Sequence, residues 1–199
     1  MAGYGQADPI DIDIAKVMDE SSQTVKKTSI IGLGNVCEGD FGIGCYIVDA
    51  LSQECLGEAI DLAYLGHDPR DADLWLYQID FAVIVGAVRL GGPAGHIYCW
   101  DRETFQRNIP WFAFTSHSIE SLVNALARAE IAGGLPGDML FLWLETKEVS
   151  GLGISKELRK ALRAAVRIIK YHLFKRGLMP ETTLKISPIY RLDLLRMVA

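Results

Sequence analysis

Cysteine is sparse and unclustered: the chain has four, Cys37, Cys45, Cys55 and Cys99, with no C-x-x-C pair among them. That excludes a zinc ribbon or a redox dithiol as the organising chemistry. The thiols are expected to be reduced and buried, as free cysteines usually are. Long apolar runs are missing too. None approaches the roughly 20 residues needed to cross a bilayer, and the opening MAGYGQADPIDIDIAK is acidic where a secretory signal would be basic and then apolar. The expectation is a cytoplasmic protein with no membrane span. Nucleotide loops are also lacking. A dinucleotide fingerprint would need glycines at 32, 34 and 37, but Cys37 holds the third place, and no Gly-Lys-Ser/Thr follows to make a P-loop.

What is present suits one ordinary domain. The chain has 199 residues, half of them hydrophobic and 23% charged, enough to bury a core without disulfides or a structural metal. The net charge of −5 is unevenly spread. Between Lys156 and Arg196, eleven Lys/Arg against three Asp/Glu leave +8, and the rest carries −13. No zinc-finger spacing or aromatic ribonucleoprotein motif accompanies the basic stretch, so it reads as a solvated helix face and not as a nucleic-acid site.

Along the chain, residues 1–27 read as an N-terminal extension, 28–176 as the folded domain and 177–199 as a C-terminal tail. TSIIGL at Thr28–Leu33 is a strand candidate, followed by a glycine-rich loop and a helix with Ile43, Ile47, Val48 and Leu51 at helical spacing. Ala59–Leu65 suggests a second strand and Ala72–Gln78 a helix. FAVIVGAV at Phe81–Val88 is unbroken apolar sequence, as expected of a central strand covered on both faces. His96–Trp100 suggests a further strand, able to pair with it through the loop LGGPAG. Ser116 or Ser118 can cap a helix running to about Glu130, and Met139–Leu144 is another buried strand. Ser155 can cap a last helix with Leu158, Leu162, Ala165, Ile169 and Leu173 along one stripe. Alternating strands and helices imply an α/β class: a single three-layer α/β/α domain with a mostly parallel sheet.

The segment GLGNVCEGDFGIG, Gly32 to Gly44, falls between first strand and first helix, where an open parallel sheet places its ligand loops. It fits the frame G-x-G-N-x-L-x-x-D-[DE]-x-x-G without a gap, through Gly32, Gly34, Asn35, Cys37, Asp40 and Gly44. In this it resembles the nickel-iron hydrogenase maturation endopeptidases. Two further motifs of that family are similar: an apolar strand ending in V-D-A and followed by P-G, here VIVGAVRLGGPAG at Val83–Gly95, and S-x-H at a helix start, here Thr115, Ser116 and His117.

The resemblance implies a maturation factor without a cofactor of its own. In the family, nickel already inserted in the hydrogenase large-subunit precursor is recognised and a C-terminal peptide is cut off. The family's nickel donors, carried over position by position, fall on Phe41, Gly86 and His117. Only His117 has a donor atom, and imidazole alone is a poor nickel site. Asn35, Glu38, Asp40 and His117 are the expected substrate contacts, with Asp40 and His117 the catalytic candidates. Asp40 at a helix start is equally a candidate N-cap. Two functions stay open: a peptidase with a different ligand set, or an inactive relative acting as assembly chaperone or binding factor for a hydrogenase or related metalloenzyme subunit. An unrelated hydrolase on the same fold is a third class. Cys37 reads as a small buried thiol before a nucleophile. His67, His96 and His172 read as surface or core-edge residues, and Trp100, Trp111 and Phe112 as core packing before partner surface.

Overall fold

Strand β3 (Phe81–Val88) is apolar along its length because helices cover both of its faces. It is the middle of a five-stranded sheet in a computed structural model that describes residues 27–112, 117–147 and 151–180, with backbone alone at 111, 112, 117 and 118. Apart from Lys27 and residues 177–180, the expected N-terminal extension and C-terminal tail lie outside the described residues. The strand order is β2 (Ile60–Tyr64), β1 (Thr28–Gly32), β3, β5 (Asp138–Glu145), β4 (Ile97–Trp100). All neighbours are parallel except β4, which runs antiparallel to β5 at the edge. The expected pairing of β3 with the following strand is therefore corrected. Loop 89–96 carries the chain past β5, because β5 takes the free edge of β3 along all eight residues.

Side chains alternate between two apolar layers. Ile30, Val83, Val85, Leu142 and Leu144 face α1 (Ile43–Ser52) and α4 (Lys156–Lys175). Ile31, Ile84, Phe141 and Trp143 face α2 (Arg102–Phe112) and α3 (His117–Ile131). The architecture is thus the three-layer α/β/α domain expected. In the second layer Phe105 stacks on Phe141 with centroids 4.1 Å apart and planes 7° from parallel, a contact that strengthens plain area burial. Among the described residues no helix is long and apolar enough to cross a membrane.

Several expectations shift. The helix expected over Ala72–Gln78 is a single 3-10 turn, Ala72–Trp75, and the chain turns away at Gln78, whose φ of 58° is left-handed. Helix α2 is absent from the sequence reading. Its segment is polar and holds Pro110, yet Asp101 accepts the Thr104 amide at 2.7 Å and starts the helix. Ser155 does cap α4, accepting the Leu158 amide at 3.3 Å. Lys170 departs from the solvated face expected of the basic stretch: it is buried and paired with Glu54 at 2.8 Å. None of the four cysteines is fully buried; Cys37 and Cys55 are exposed, and Cys45 and Cys99 are half-buried. Cys37 points outward because it lies in the loop above the sheet edge and not in a strand or helix.

Candidate functional site

The chain leaves β1 for β2 on one side and returns to β3 on the other, so the loops after β1 and β3 open a crevice at the carboxyl edge between them. Its shape is set by glycines. Gly44, in the first turn of α1, lies against the end of β1: a Cβ there would sit 2.2 Å from the Leu33 carbonyl oxygen. At Gly34, φ is +123° and a Cβ would sit 1.7 Å from the Phe41 carbonyl oxygen. No other residue fits either place. The loop is then held from outside, with the Leu33 amide donating to Val85 O at 2.8 Å and the Tyr64 hydroxyl to Gly34 O at 2.6 Å.

Asn35 and Glu38 form one small turn. The Asn35 amide nitrogen donates to the Glu38 carboxylate at 2.9 Å, and its oxygen accepts the Cys37 amide at 3.0 Å. Glu38 is exposed, so this turn offers an oriented carboxylate to solvent. Asp40 behaves differently. Only 1% exposed, it accepts the Thr146 hydroxyl at 2.9 Å and the Ser155 amide at 2.7 Å. It is not the N-cap of α1: that place belongs to Gly42, which makes no side-chain cap bond. The Asp40 carboxylate instead ties the β1 loop to the end of β5 and the start of α4, a use that sequence spacing cannot reveal because the partners are more than 100 residues away.

Phe41 and Gly86, the two positions without a donor, come together. With Leu33, Gly34, Ala87, Ile119 and Trp143 they line a pocket of about 10 Å³, space for about one water. Gly86 pairs across the sheet with Trp143, and a Cβ at 86 would stand 3.1 Å from the indole ring. The tryptophan occupies the direction an acidic side chain at 86 would take. This apolar lining does not fit a metal ion, and no group of three His, Cys, Asp or Glu donors gathers anywhere among the described residues. His117 opens α3, which reaches the pocket through Ile119, but the His117 side chain lies outside what is described.

Sequence reading missed a second buried acid. Glu145, 2% exposed at the end of β5, accepts the Leu90 and Gly91 amides at 3.0 Å and the Tyr98 hydroxyl at 3.1 Å. Burial and the Glu145 carboxylate push the Tyr98 hydroxyl above its usual pKa, so it remains a donor. Glu145 fixes the loop after β3 as Asp40 fixes the loop after β1. An acid closing an otherwise apolar strand, MLFLWLE, was the available signal. Of the remaining histidines, His67 and His96 belong to loops and His172 packs at the far end of α4. Trp100 is half-buried on β4, and the Trp111 and Phe112 side chains lie outside what is described.

No family model matches the chain, and no curated protein matches it in sequence. Solved structures do match. The hydrogenase maturating endopeptidase HybD from E. coli is 18% identical with a TM-score of 0.70, over 76% of this chain and 94% of that one. The NiFe hydrogenase maturation protease HybD from Thermococcus kodakarensis is 18% identical with a TM-score of 0.60, over 73% of this chain and 98% of the other. A hydrogenase 2 maturation peptidase from a Thaumarchaeota archaeon is 26% identical with a TM-score of 0.56, over 77% and 100%. By its sheet order, its glycine crossing and these neighbours, the chain carries the fold of the hydrogenase maturation endopeptidases.

Proposed function

We propose that this protein is a maturation factor that binds the large-subunit precursor of a nickel-iron hydrogenase, or the corresponding subunit of a related metalloenzyme, without cleaving it. The observation that carries the reading is the apolar pocket of Phe41, Gly86 and Trp143 at the place where the family resemblance puts metal donors. Asp40, the remaining acid of the motif, is engaged in holding loops together. The exposed Asn35–Glu38 turn at the rim is free to meet a partner's backbone or cationic side chains. Nickel belongs to the partner in this reading, and the protein brings no cofactor.

Peptide cleavage is the second reading, and the exposed carboxylate of Glu38 favours it, as a base close to the crevice. It would act with His117 on the scissile bond, in place of the missing donors. One experiment separates the two. Purified protein is mixed at equal concentration with a nickel-loaded precursor large subunit, and both complex formation and precursor mass are followed. A stable complex with unchanged mass is expected. A precursor shortened at its C-terminus overturns the binding-factor reading in favour of cleavage, and neither complex nor shortening overturns both.

A further inference from the structure

We propose that the cavity bounded by α2, α3 and the amino end of β5 is a binding site for a small, uncharged, monocyclic aromatic molecule of the phenol class. The cavity has a volume of about 120 Å³. An apolar cavity of about 150 Å³ stays dry and holds one benzene molecule, so this one is sized for a single six-membered ring. It lies away from the carboxyl-edge crevice, because its strand residues are Met139 and Phe141 near the start of β5. Two features set it apart from a packing defect. Ile109, Val123, Leu126 and Leu135 all belong to the apolar layer on this side of the sheet, yet each is only half-buried where it borders the cavity. Helix α3 also presents Ala127 there, where a longer aliphatic side chain would fill the space. Unfilled apolar space weakens a core, and a ligand that occupies it restores the missing contacts.

The lining selects the ligand. Phe105, Phe141 and the Met139 thioether border the space, and rings and sulfur both favour an aromatic guest. The polar residues are Arg102, Gln106 and Glu130. Arg102 is paired with Glu130, so the polar side of the cavity carries no net charge. A ligand carboxylate would meet Glu130 and a ligand ammonium would meet Arg102, a like charge in either case. A neutral hydroxyl meets neither penalty: it can donate to the Glu130 carboxylate or the exposed Gln106 carbonyl, and accept from the Gln106 NH₂ group. Phenol combines the ring with such a hydroxyl, which ionises only at about pH 10. The ion pair also bridges α2 and α3 beside the cavity. A ring that trails a peptide backbone, such as a partner's tyrosine, has to displace that bridge, and a free phenol does not. This proposal does not depend on the function proposed above.

The test titrates phenol against the full chain and reads binding from the broadening of the phenol NMR signals, with the urea midpoint as a second readout. Binding with a Kd on the order of 1 mM is expected, well within what so few atoms can supply, and the midpoint should rise because the folded state alone has the site. Benzoate, benzylamine and N-acetyltyrosinamide should each bind about tenfold more weakly, the first two for their charge and the third for its backbone. Ala127→Leu fills the cavity from α3 and Leu135→Phe fills it from the loop before β5. Each should abolish phenol binding while the urea midpoint stays level or rises, as cavity filling does. No phenol binding to the parent chain overturns the site, as does binding that survives in either folded variant. Benzoate or benzylamine binding as tightly as phenol overturns the neutral class, and N-acetyltyrosinamide doing so overturns the free ligand in favour of a partner's tyrosine.

Discussion

Two pairs of positions at the carboxyl edge carry opposite chemistry. Asp40 and Glu145 are acids in near-complete burial, each surrounded by amide and hydroxyl donors. Phe41 and Gly86, one next to Asp40 and the other just inside the loop that Glu145 holds, carry no donor and meet in an apolar pocket. A buried carboxylate is costly unless several donors receive it, so acids kept inside such an edge are there to join segments. The lesson is that an acid within a family motif need not be the one that does chemistry. Here the two acids join segments, and Phe41 and Trp143 line the small pocket between them.

The largest effect that would sharpen this contrast comes from the glycines that bring the two sides together. Gly44→Ala forces a Cβ to within 2.2 Å of backbone oxygen, and is expected to cost about 3–5 kcal/mol, the range of severe overpacking and backbone strain. Gly66→Ala is the control. It has left-handed φ of +68° but nothing within 4 Å, and should cost about 1–2 kcal/mol. Equal midpoints in urea for the two variants would mean the β1–α1 crossing is not tight.

Next come the acids themselves. Asp40→Ala strands the Thr146 hydroxyl and the Ser155 amide, and Glu145→Ala strands two amides and a tyrosine. Each should lose about 2–3 kcal/mol, the cost of leaving buried donors unmade. Half-buried Phe41→Ala should lose about 1 kcal/mol. If Phe41→Ala proves the most costly of the three, the division into structural acids and a passive apolar pocket is wrong.

This ordering also says what was legible in the sequence. The glycines of GLGNVCEGDFGIG could be placed because a tight crossing leaves a local signature, and FAVIVGAV and MLFLWL could be placed because burial on two faces removes polar residues. Local signals failed where distant partners decide. Nothing near Asp40 announces Ser155, nothing near Lys170 announces Glu54, and the position of β4 depends on which edge β5 leaves open. Helix α2 was missed because a polar segment with Pro110 looks like a loop until Asp101 is recognised as its cap. All five strands and the last helix were placed within a residue or two, while the apolar filling of the crevice became visible only when Trp143 was found across from Gly86.

That filling suggests a smaller, conditional effect. Gly86→Asp with Phe41→Glu alone should leave cadmium affinity unchanged, because the new aspartate meets the Trp143 ring. Adding Trp143→Leu should raise affinity about tenfold, or roughly 1.4 kcal/mol. Calorimetric titration of the double and triple variants decides it. Affinity gained equally by both would show that Trp143 does not block the position.

The smallest expected effect lies far from the crevice, at a half-buried ring that lacks, among the described residues, the set of donors that Asp40 and Glu145 have. His172, on α4, is half-buried, and its Nε2 is enclosed with no hydrogen-bond partner among the described residues. Burial first, then the Arg176 guanidinium, holds its pKa below the ordinary histidine value of 6.5; Lys175 acts the same way and Asp138 opposes them. The folded state therefore prefers the neutral ring, whereas the unfolded chain takes up a proton near pH 6.5. Stability from this group is fully present above that pH and is lost as pH falls through it toward the lower folded value. His172→Gln removes the titration and should flatten the urea midpoint between pH 7.5 and 5.5. A slope unchanged in His172→Gln would assign the pH dependence to another group.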